Sequence, residues 1–137
     1  MDSNKSLKQD YFIKILLLGD GSVGKSSLLR SYSEGEFPSN LTGTLSVDSK
    51  TKNIKHQGKL LKIQIWDTVG HEKFYSLTRQ CYEGISGIFL VYDVTNQESF
   101  ENISSKWLPK IIENSETNIE LALVGNKTDL INERLVT

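Results

Sequence analysis

Cysteine is almost missing from this 137-residue chain: Cys81 stands alone, so no disulfide can close within it. That points to a reducing, cytoplasmic setting, and Cys81 reads as a half-buried small apolar residue. Long apolar runs are missing too. The longest, Ile15-Leu16-Leu17-Leu18, is far too short to span a bilayer, and Met1 to Asp10 lacks the apolar stretch of a secretory signal. Neither sign of charge dominates. Sixteen Lys and Arg against 17 Asp and Glu leave a formal net charge of −1, so no nucleic-acid surface is expected. The segment Asn132 to Thr137 has no cysteine and hence no prenylation motif or lipid anchor. His56 and His71 are far apart and lack cysteine partners at ligand spacing, so no histidine metal site is suggested. What is present suits one domain: a flexible N-terminal segment over 1–10, then a single unit over 11–137.

Within that unit, Phe12 to Leu18 reads as a buried strand stopped by Gly19. Lys25 to Tyr32 reads as a helix, and Glu34 to Leu45, rich in Gly, Pro, Ser, Thr and Asn, as a loop. Val47 to His56 is a polar edge strand, Gln57-Gly58 a turn, and Leu61, Ile63 and Ile65 alternate with polar residues as a strand does. Gly87 to Tyr92 and Glu120 to Val124 are further strands. Between them Thr95 and Glu98 have capping-box spacing. Phe100, Ile103, Trp107 and Ile111 then recur at helical spacing and read as core, with a kink expected at Pro109. Strands alternating with helices give an α/β fold with a mainly parallel sheet covered on both faces. Ligands of such sheets sit at the carboxyl ends of the strands.

Three motifs fall at those ends. Gly19-Asp20-Gly21-Ser22-Val23-Gly24-Lys25-Ser26 fits G-x-x-x-x-G-K-[ST] in full, after an apolar strand and before a helix. Its glycines let backbone N–H groups converge on an anion, and the following helix adds the positive end of its dipole. Lys25 can reach the β- and γ-phosphates of a nucleotide, and the Ser26 hydroxyl can ligate Mg²⁺. This motif alone does not choose the base. Asn126-Lys127-Thr128-Asp129 does. The Asp129 carboxylate can accept from N1–H and the 2-amino group of guanine, whereas adenine would leave a buried carboxylate unsatisfied. Asn126 can bond the other edge of the base, and the Lys127 stem can pack on the ring. Third, Trp66-Asp67-Thr68-Val69-Gly70-His71-Glu72 ends a strand. Asp67 can hold Mg²⁺ through water, the Gly70 N–H can bond the γ-phosphate, and Thr44 can add its hydroxyl to the metal. Two loops would then order in GTP and relax in GDP.

With these residues in view, the sequence resembles a Ras-superfamily small GTPase, nearest the Rab branch, from about Tyr11 to Thr137. The likeness rests on the Trp66 to Glu72 box, Lys73-Phe74 with Ser76-Leu77-Thr78, Leu90 to Thr95, Glu98-Ser99-Phe100, and Leu123 to Leu130. It implies the P-loop NTPase fold in three layers and a GTP-hydrolysing switch in vesicle traffic. Exchange factors, GTPase-activating proteins and effectors would act through residues 34–50 and 68–83. The implied nucleotide contacts run from Gly19 through Ser27, with Thr44, Asp67, Gly70, Asn126, Lys127 and Asp129; Ser26, Thr44 and Asp67 hold the metal; Lys25, Gly70 and His71 fall at catalytic positions.

The chain also departs from its likeness. His71 stands where the family's water-orienting glutamine belongs, so slow hydrolysis is expected, and a GTP/GDP binder with little turnover is the alternative. Of an effector-facing aromatic cluster only Trp66 remains, with Ser49 and Cys81 at the other two positions. The family's second guanine loop, last strand, last two helices and cysteine-bearing tail have no counterpart here. The family associates with membranes peripherally through that tail. Losing a covering helix would expose an apolar patch and remove burial comparable to a domain's whole stability.

Overall fold

Five apolar or alternating runs become one sheet. The computed structural model describes residues 10–34, 48–67, 82–115 and 118–137. Strands β1 (Tyr11–Leu18), β2 (Asp48–His56), β3 (Lys59–Asp67), β4 (Gly87–Asp93) and β5 (Glu120–Asn126) lie in the order β2-β3-β1-β4-β5. β1 pairs in parallel with β3 and β4, and β4 with β5, while β2 runs antiparallel to β3. The polar strand is indeed at an edge, where its unburied face belongs. β4 and β5 run one and two residues further than the apolar pattern suggested, ending on the polar Asp93 and Asn126. Apolar periodicity cannot see such residues, because both are polar and continue the ladder as a pair.

Strand alternation sends two sets of side chains to opposite faces. Leu16, Leu18, Ile88 and Leu90 pack with Tyr82, Ile103, Trp107 and Ile111 on one face. On the other, Leu17 and Ile65 pack with Leu29 of α1 (Lys25–Glu34), flanked by Ile15, Tyr32, Ile63 and Phe89. The sheet therefore has helices on both sides. Neither cover is complete among the described residues. A groove of about 360 Å³ lies open beside α1, lined by Leu28, Tyr32, Phe89 and Val124 among others, and Leu121 and Leu123 of edge strand β5 are 47% and 55% exposed.

The second helical stretch differs from expectation in two ways. Its N-cap is Asn96, one residue past Thr95. The Asn96 side chain accepts from the Ser99 N–H at 3.2 Å. Thr95 is engaged elsewhere, its N–H and hydroxyl both donating to Asp93 Oδ1 at 2.8 and 2.6 Å. Nor is the stretch one uniform helix. α2 (Gln97–Asn102) passes through a π turn (Ile103–Trp107) into α3 (Leu108–Asn114). Pro109 in the first turn of α3 has no N–H for the carbonyl four residues back and its ring crowds that carbonyl. The chain widens there instead, with the Leu108 N–H reaching the Ile103 carbonyl. The expected kink is thus a π turn.

The cap correction is testable. Asn96→Ala should lower stability by about 1 kcal/mol, the usual worth of an N-cap side chain, in a urea melt. A variant as stable as the parent would return the cap to Thr95.

Candidate functional site

A loop that turns its N–H groups toward an anion turns its carbonyls toward the protein, where they need donors. In this chain the donors are long side chains. Lys25 Nζ donates to the Gly19 carbonyl at 2.8 Å and to the Asp20 carbonyl at 2.6 Å. Asn126 Nδ2 donates to the Val23 carbonyl at 2.8 Å, and Lys127 Nζ to the Ser22 carbonyl at 2.9 Å. The Asn126-Lys127 motif at the end of β5 therefore clamps the glycine-rich loop at the end of β1, across about a hundred residues of chain. Two glycines permit the fit. A Cβ at Gly19 would collide with the Val91 carbonyl, and one at Gly24 with the Asn126 amide, and both have positive φ. Ser22 takes a left-handed φ of 67° without being glycine, a conformation that costs about 1 kcal/mol or more.

Carboxylates surround this loop. Asp67, at the end of β3 and 2% exposed, accepts through Oδ2 from the Ser26 hydroxyl. Asp93, at the end of β4, pairs with Lys127 Nζ at 2.8 Å. Burial pushes the Asp93 carboxyl up, but hydrogen bonds from Lys127 and Thr95 outweigh it and hold the group below the ordinary carboxylate range. Asp20 accepts from Asn102 Nδ2 at 2.6 Å and Trp107 Nε1 at 2.8 Å. Burial pulls the Lys25 ammonium down from its ordinary 10.5 to about 8, against the opposing pull of Asp67 and Asp20.

The structure thus gathers Gly19 to Ser27, Asp67, Asn126 and Lys127 at one end of the sheet. Asp129 lies just beyond Asn126 but is exposed, not in the dry pocket that its role as a base discriminator assumed. Its desolvation would have to come from the base itself. Thr44, Gly70, His71 and Cys81 lie outside the described residues. Three participants escaped the sequence reading. Asp93 had a usable signal, an acid ending an apolar strand just as Asp67 does. Asn102 and Trp107 had none, since Trp107 counts equally well as core.

The donor set fits Mg²⁺. Ser26 and Asp67 bring a hydroxyl and a carboxylate together beside the loop, hard oxygens of the kind this ion prefers. Among the described residues no cluster of three or more His, Cys, Asp or Glu is arranged for a metal. Mg²⁺ commonly takes one or two protein oxygens and completes its shell with phosphate and water.

The family model for the Ras family matches residues 14–137. The chain belongs to the Ras family. Similar curated relatives include Ras-related protein Rab-10 of Diplobatis ommata, 45% identical over 127 residues, covering 93% of this chain and 63% of that protein. Ras-related protein Rab-1D of Dictyostelium discoideum is 45% identical over 129 residues, covering 94% and 63%. Ras-related protein Rab-8B of Homo sapiens is 43% identical over 128 residues, covering 93% and 61%. The chain spans about three-fifths of the length of these relatives. Its Ras-family character is Rab-like, in keeping with their names, and among its described residues no helix is long and apolar enough to cross a membrane.

The lowered Lys25 pKa gives this Ras-family loop a proton linkage. A bound polyphosphate would favour the ammonium form, so binding would take up a proton near pH 9, where the free lysine is mostly neutral, and little near pH 7. Affinity for GDP should accordingly fall as pH rises through about 8. Calorimetric titrations in buffers of different ionisation enthalpy measure the uptake. The same uptake at pH 7 and pH 9 would show that Lys25 is already charged.

Proposed function

We propose that this chain is the nucleotide-holding part of a Rab-type small GTPase, hydrolysing GTP to GDP and phosphate as a switch in vesicle traffic. The observation that carries the reading is the clamp: Asn126 and Lys127, the residues placed to read guanine, are hydrogen-bonded to the carbonyls of the loop placed to bind phosphate. Base and phosphate recognition are one connected piece. In this reading the backbone from Gly19 to Gly24 and the Lys25 ammonium hold the β- and γ-phosphates. Asp129 accepts from N1–H and the 2-amino group of guanine, and Asn126 lies at the base's other edge. Ser26, Asp67 and Thr44 would hold Mg²⁺, which when bound neutralises phosphate charge. The Gly70 N–H and Thr44 would sense the γ-phosphate. The catalysis asked of such a site is mostly positioning and charge stabilisation. Exchange factors, GTPase-activating proteins and effectors would engage residues 34–50 and 68–83, and membrane association would be peripheral.

Purified chain incubated with radiolabelled GTP and Mg²⁺ tests this directly. Retained label with released phosphate supports the GTPase. Retention without release supports the second reading, a GTP/GDP binder, which His71 favours. Retention of neither overturns both.

His71 itself sets a rate. An imidazole is shorter than a glutamine side chain and lacks its paired amide donor and acceptor, so it orients water less well. Single-turnover hydrolysis should therefore be faster in His71→Gln by roughly tenfold or more, on the scale of one oriented catalytic group. A variant no faster than the parent would mean that His71 does not limit the chemistry.

A further inference from the structure

Asp20 is a puzzle of charge. It puts a carboxylate inside a loop built to attract anions, and like charges at this range repel. The structure shows where that charge goes. Both oxygens point to donors on the other helical stretch: Oδ2 accepts from Asn102 Nδ2 at 2.6 Å and Oδ1 from Trp107 Nε1 at 2.8 Å. Both donors are buried, Asn102 at 8% and Trp107 at 4% exposure. Hydrogen bonds to an ionised acceptor are about twice as strong as neutral ones.

The π turn makes this double grip reachable. On an α-helix, residues five apart diverge by about 140° around the axis, and Asn102 and Trp107 could not both face one carboxylate. In a π turn, hydrogen bonds run from i to i+5, so residues five apart come onto one side. The turn over Ile103–Trp107 lies between the two donors. At its other end Asp20 offers its carbonyl to Lys25 Nζ at 2.6 Å, so the residue is held by backbone and side chain at once. Outside, Lys110 Nζ of α3 stands 4.8 Å from the centre of the Trp107 ring.

The geometry points to Asn102 and Trp107 as positioning residues for the nucleotide: they pull the Asp20 carboxylate away from the phosphates and hold the Asp20 carbonyl on Lys25. This rests on the nucleotide-binding reading above. Released from its donors, the carboxylate is free to turn toward Lys25 and compete with phosphate for the same ammonium. The α2–α3 stretch is then a strut of the phosphate site, and whatever shifts Trp107 changes how long nucleotide stays.

The test is a double-mutant cycle on release of fluorescent GDP from the 137-residue chain, chased with unlabelled GDP in Mg²⁺. Trp107→Phe keeps a ring in the core and removes the indole donor; Asp20→Ala removes the acceptor. Trp107→Phe should release GDP about tenfold faster, the scale of one hydrogen bond to a charged group, and Asp20→Ala should release it more slowly than Trp107→Phe does, because no carboxylate remains to turn toward Lys25. The double variant should release GDP within about twofold of Asp20→Ala alone. A purely structural Trp107 predicts rate effects that multiply. Should Trp107→Phe fail to fold, Asn102→Ser, too short to reach Asp20, replaces it in the same cycle with the same expectation. Multiplying effects, or parental release rates in Trp107→Phe or Asn102→Ser, would overturn the strut alone. A parent chain that never retains GDP would overturn the nucleotide reading and the strut with it.

Discussion

The arrangement at the head of the sheet depends on satisfying the outward carbonyls of the phosphate loop. A tight anion-binding loop cannot pair its own backbone, and buried unpaired carbonyls are costly. Helix and strand ladders are no help to residues 19–24, so side chains from elsewhere must reach in. Lys25, Asn126 and Lys127 do so. Much of the local geometry then follows. Gly24 leaves room for the Asn126 amide, Gly19 for the Val91 carbonyl, and Lys127 takes a left-handed φ of 66° on its way to Ser22 and Asp93.

The same constraint shapes the electrostatics. Two lysines drawn in to serve carbonyls must themselves be compensated, and the strand ends supply acids for that. Asp93 meets Lys127 directly, and Asp67 and Asp20 favour the charged form of Lys25 against its burial. The loop is therefore close to neutral in sum. In the proposed reading, attraction for phosphate would come from oriented N–H groups and a divalent ion more than from net positive charge.

What could be read from the sequence divides along a physical line. Local rules served well: a glycine-rich loop between an apolar run and a helix is a contiguous signal, as is alternation in β3 or helical spacing from Phe100 to Ile111. The edge position of β2 followed from its polarity. Rules that depend on competition between neighbours did less well. Thr95 and Asn96 are both good caps, and only the acid at Asp93, which takes the threonine, decides between them. The grip on Asp20 spans more than eighty residues and works through a π turn, a form with no sequence period of its own. Trp107 looks like core because it is core; its indole N–H does the second job unannounced. The chemistry proposed for Asp129 asks for burial, yet the residue is exposed, and burial that only a complex would supply is not written in the chain.

The register of the sheet adds a last constraint on how a switch could be built here. β2 begins at Asp48 and β3 ends at Asp67, and these two residues are directly paired. The segments that carry Thr44 on one side and Gly70 and His71 on the other therefore leave the sheet from adjacent points. Asp67 is also the residue that Ser26 holds. The clamps that secure the loop, Asn126 and Lys127, come from the opposite side, beyond β4. The contacts that reach the loop from β5 and from β3 thus come from different halves of the same sheet, joined through β1.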